Sequence, residues 1–168
     1  MLDQLQGHLT DEEVLAIRNV IIGKYIDYRR LVDGAHFRSV FAEEYAPHNR
    51  QFGVSWAIAS AFPSQTTLSS FRVSRILYGK GHTRPCLSND RIELMILNAT
   101  THFNADYLCD RYMYNAKCFS NEKLFAYIKF AVDHRKLTRI SLCVPNEQGK
   151  VIAEEILLDR NAILTLAA

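Results

Sequence analysis

The sequence predicts an α+β domain: a helical N-terminal half packed on a mostly antiparallel sheet made by a β-β-α-β-β C-terminal half. Three observations carry this. Apolar residues recur at helical steps in the first third of the chain, and two pairs of strand-like runs separated by turn compositions occupy the rest. The regular strand–helix alternation of a doubly wound parallel sheet is absent. A length of 168 residues suits one domain, with residues 1–65 as the helical layer and 66–168 as the sheet-containing portion.

The first helix is the plainest element. Thr10 and Glu13 have capping-box spacing, and Asp11 and Glu12 place negative charge at the positive end of the dipole. Val14, Ile17, Ile21, Tyr25 and Tyr28 then form one apolar face running to about residue 32, with Gly34 as the stop. A short second helix over 36–45 carries Phe37, Val40 and Phe41 and is ended by Pro47. Asn49 caps a third helix bearing Phe52, Trp56 and Ile58 among small residues, closed by Pro63.

Residues 66–78 fit both a strand, through Phe71, Val73 and Leu77, and a helix with Arg72 and Arg75 on its basic side. The Gly79-Lys80-Gly81 stop favours the helix. Two strands, 82–87 and 91–100, flank the turn Ser88-Asn89-Asp90 as an antiparallel hairpin. The second has Ile92, Leu94 and Ile96 on one face and Met95 and Leu97 on the other, so it belongs in the interior of the sheet. Residues 102–119 mix aromatic and polar types without a period and suit either a third strand or an irregular connection. Ser120 or Asn121 then caps a helix with Leu124, Ile128, Ala131 and Val132 as its buried stripe, its C-terminus served by Arg135 and Lys136. Ile140, Leu142 and Val144 alternate before the turn at 145–149, and 151–158 returns as the second hairpin.

Charge and cysteine content exclude little. The net charge is +2, with six basic against eight acidic residues in 1–60, seven against four in 61–120, and seven against six in 121–168. The middle third is therefore mildly basic, short of the pronounced excess usual in nucleic-acid binders. The first residues lack a basic start followed by an apolar core, and no window of about eighteen residues is apolar enough to span a bilayer. The expectation is a cytoplasmic protein without membrane contact. Cys86, Cys109, Cys118 and Cys143 are scattered and read as free thiols rather than a disulfide framework.

Catalytic motifs are weak. Cys86, His102, Cys109 and Cys118 lack the paired spacing of a zinc site, so no metal or other cofactor is expected. A two-carboxylate nuclease needs an Asp followed by Glu-x-Lys, and the position two after Glu93 is Met95. If the chain is an enzyme, a hydrolase such as a divergent metal-dependent nuclease, its candidate groups are His82, Asp90, Glu93, His102 and Asp106 around the end of the 91–100 strand.

Binding is the favoured reading, with a macromolecule as partner. Arg72, Arg75, Lys80, Arg84 and Arg91 form the one basic cluster in sequence, and Gly79-Lys80-Gly81 offers backbone amides beside a lysine. Phosphate contact with aromatic stacking is how many single-stranded nucleic acids are held. Tyr112 and Tyr114, in the irregular run, suit a protein-recognition surface instead. Nucleic acid and protein stay open as partners, and the sequence does not give the oligomeric state.

Overall fold

A computed structural model describes residues 3, 5–33, 47–78, 82–98, 123–133, 136–146 and 150–160. The elements are α1 (Asp11–Asp33), α2 (Pro47–Ala61), a 3₁₀ turn (Thr66–Leu68) and six strands. These are β1 (Arg72–Tyr78), β2 (His82–Ser88), β3 (Ile92–Asn98), β4 (Leu124–Asp133), β5 (Lys136–Pro145) and β6 (Val151–Asp159). They make one sheet in sequence order, antiparallel throughout except for the parallel β3–β4 pair. The two helices pack on that sheet, α1 towards β5 and β6 and α2 towards β2 and β3. Among the described residues, no helix is long and apolar enough to cross a membrane.

The capping box forms reciprocally: the Thr10 amide donates to Glu13 Oε2 at 2.8 Å and the Glu13 amide to Thr10 Oγ1 at 3.1 Å. The expected stripe follows, with Ile17, Ile21 and Tyr25 buried and Val14 and Tyr28 packed against the core. In α2, Val54, Ile58, Ala59 and Ala61 are buried, and a Cβ at Gly53 would meet the Tyr28 ring of α1 at an ordinary 3.5 Å. Pro47 opens this helix, a position where its fixed φ suits the first turn and no amide is lost. Asn49 therefore lies inside α2, not at its cap. Gly34 and the 36–45 helix lie outside the described residues.

Both predicted hairpins form. Asn89 shapes the β2–β3 turn, its Oδ1 accepting from the amides of Arg91 (2.9 Å) and Ile92 (3.0 Å). Ile92, Leu94, Ile96, Met95 and Leu97 are all at most 2% exposed, the first three in the core beneath the helices and the last two in the cluster on the opposite face. The β5–β6 hairpin is pinned by Asn146, whose amide donates to the Lys150 carbonyl and whose Oδ1 accepts from the Lys150 amide, each at 2.8 Å.

Two segments read as helices are strands. Residues 66–78 split into the 3₁₀ turn and β1, which pairs with β2 in continuous register from Arg72↔Ser88 to Tyr78↔His82. Leu124, Ile128, Ala131 and Val132 belong to β4, so the C-terminal part has no helix among its described residues between β1 and β6. In β4, Ala126, Ile128 and Phe130 enter the core beneath the helices, while Phe125 and Tyr127 are buried on the opposite face with Cys86, Met95, Leu97 and Cys143. Apolar residues on both faces hide a strand's period of two and leave a run that also matches helical spacing.

Candidate functional site

Register decides where the basic cluster goes. In a strand, residues three apart point to opposite faces, so Arg72 and Arg75 do not share the surface a helix would have given them. Arg75 lies on the helix side, its guanidinium 5.5 Å from the centre of the Trp56 ring of α2, a cation–π contact. Arg72 lies on the other side, exposed like Val73, Ser74 and Arg75. The two arginines thus flank the outer edge of β1, which ends the strand order. Arg84, on β2, is only partly exposed, and its Nε and Nη1 are shut off from solvent. Arg91 is committed elsewhere, since its guanidinium pairs with Glu13 of α1.

Of the catalytic candidates, Asp90 and Glu93 have described side chains. Asp90 is exposed in the β2–β3 turn, while Glu93 lies on β3 on the face away from the helices, opposite Ser88 and Phe125. His82 is the first residue of β2, its backbone paired with Tyr78. Lys80, His102, Asp106, Tyr112 and Tyr114 lie outside the described residues, as do Cys109 and Cys118. Among the described residues, no three His, Cys, Asp or Glu side chains gather where they could hold a metal ion.

The buried thiols are poor nucleophiles. Cys86 and Cys143 are free and at most 1% exposed. Burial, reinforced by the Glu154 carboxylate, pushes the Cys143 thiol up to about 11, against the opposing pull of Lys129. Tyr127, hydrogen-bonded to Cys143, is also raised, chiefly by burial. On the same face, Arg139 bonds Glu154 at 3.1 Å and Ser141 at 3.3 Å and approaches Asp159 at 3.9 Å.

A second basic feature has no counterpart in the sequence reading. A cleft of ≈ 410 Å³ opens between the C-terminal half of α1, the start of β5 and the residue after β6. Its walls carry Arg29, Arg30, Lys136 and Arg160, and its floor is apolar. The four cations are 131 positions apart at the extremes, too scattered to register as a cluster. The available hints were the Arg29-Arg30 pair at a helix end and Lys136, which begins β5 rather than ending a helix.

Comparison with protein-family models, with curated proteins and with solved structures found no match. The functional reading therefore rests on this geometry.

Proposed function

We propose that the protein works by binding, and that its partner is a single-stranded nucleic acid lying along the outer edge of β1. The observation that carries this reading is the Arg75–Trp56 contact beside the exposed Arg72. The Arg75 guanidinium, held flat by the Trp56 ring, offers a plane on which a base can stack, and Arg72 across the strand edge a second cation for phosphate neutralisation. Macromolecular binding is favoured over hydrolysis because the two acidic candidates with described side chains stand on a turn and on a strand face, without a converging ligand set among the described residues.

The test is fluorescence anisotropy of a labelled oligothymidylate titrated with the full chain between 50 and 200 mM salt. Two neutralised phosphates on a single strand give a loss of affinity of about sevenfold over that range. Trp56 is the single tryptophan, so quenching of intrinsic emission reports directly on this site. Absence of binding at the low-salt end, or an affinity indifferent to salt, would overturn the reading and favour a protein partner.

A further inference from the structure

We propose that the cleft between α1, β5 and the end of β6 binds a small amphiphilic anion: a phosphate or carboxylate headgroup on an apolar body of modest size. Arg29 and Arg30 come from α1, Lys136 opens β5 and Arg160 follows β6, so three separate elements converge their cations on one concavity. Among the described residues, no carboxylate lines it. Of the acids close in sequence, Asp27 pairs with Lys24 at 3.5 Å and Asp159 is approached by Arg139 at 3.9 Å.

The helix dipole accounts for basic residues in the last turns of α1. It does not account for Lys136 and Arg160, which the sheet delivers. Arg30, Lys136 and Arg160 are exposed around one concavity, and their summed positive field favours an anion there. The floor argues against a bare inorganic ion. Tyr25 and Leu137 are buried beneath the cleft and Ile22 and Ile26 line it, Ile26 with 42% of its surface exposed. Its volume lies in the lower part of the range of small-molecule pockets, about 300–1,000 Å³, whose usual character is an apolar lining with a few charged groups. A concave site of this size suits a single dissolved molecule better than the flat surface of a bilayer.

Calorimetric titration of the full chain with octyl phosphate, below its aggregation limit, tests this against inorganic phosphate, octanol and phosphatidylcholine vesicles containing phosphatidylglycerol. Octyl phosphate is expected to saturate one site, with inorganic phosphate and octanol each at least about tenfold weaker. Arg30→Glu and Lys136→Glu, both at exposed positions, should each weaken octyl phosphate by about tenfold or more. Ile26→Ser should weaken octyl phosphate and leave inorganic phosphate unchanged. If a charge reversal lowers the melting temperature, Arg30→Gln and Lys136→Gln are read in its place. Octanol binding as tightly as octyl phosphate, indifference to charge reversal, or binding to anionic vesicles with none to octyl phosphate would each overturn the proposal. Arg72→Ala should leave octyl phosphate binding intact, which separates this site from the edge of β1.

Discussion

Glu13 of α1 and Arg91, at the entry to β3, are joined by an ion pair in which the carboxylate is almost fully buried and the guanidinium about 40% exposed. Glu13 uses its other oxygen on the Thr10 amide, and His8 meets the Arg91 carbonyl through Nδ1 at 2.8 Å. One carboxylate therefore closes the first turn of the helix and ties it to the sheet. Glu13→Ala should lower stability by about 1–3 kcal/mol, the cost of a cap and a charge-assisted bond together. Arg91→Ala leaves that nearly buried carboxylate without its cation and should cost at least as much, although the cap survives. Chemical denaturation of the two variants checks the order.

Phe130 separates the strand from the helix that its neighbourhood suggested. On a helix with Leu124, Ile128, Ala131 and Val132 buried, Phe130 would lie opposite the apolar stripe and its truncation would be nearly neutral. In β4 it is 1% exposed, paired with Asn98 and Ile140. Phe130→Ala should cost about 3–5 kcal/mol. Tyr127→Phe, which removes only the hydroxyl bonded to Cys143, should cost about 1 kcal/mol. Thermal melts of the Phe130 variant distinguish the two cases.

Cys143 should be slow to alkylate in the folded protein at pH 8 and fast in denaturant, read by mass spectrometry of its peptide. Its folded pKa, about 11, lies above its ordinary value of 9.0, so the unfolded chain gives up that proton first as pH rises. The stability this thiol contributes is complete below about pH 9 and is lost as pH climbs through about 11. Tyr127, raised in the same sense, extends the loss to higher pH. Cys143→Ala should show a shallower alkaline decline in melting temperature.

At the edge of β1, Arg72→Ala should reduce the slope of log affinity against log salt for oligothymidylate by about 0.7, one phosphate's share on a single strand. Arg75→Ala should do the same and also alter Trp56 emission in the free protein, because the cation over the ring is removed. Equal slopes in the wild type and both variants would count against the edge as the contact surface.

The sequence by itself determined the elements whose signals are local. The Thr10–Glu13 box and the stripe from Val14 to Tyr28 specify α1 through contacts within one or two turns, and Asn89 and Asn146 shape their hairpin turns through bonds to nearby backbone. The double-sided burial of β3 was also legible, because five apolar residues on two faces leave a strand no exposed side. Only the tertiary structure decided β1 and β4. Val73 and Leu77, or Ile128 and Val132, satisfy either period, and the choice falls to pairing with β2, β3 and β5. That choice in turn put Arg72 and Arg75 on opposite faces and made Lys136 the start of a strand. The cleft that Lys136 shares with Arg29, Arg30 and Arg160 exists because α1 crosses the end of β5 and β6, a juxtaposition that no local pattern of residues encodes.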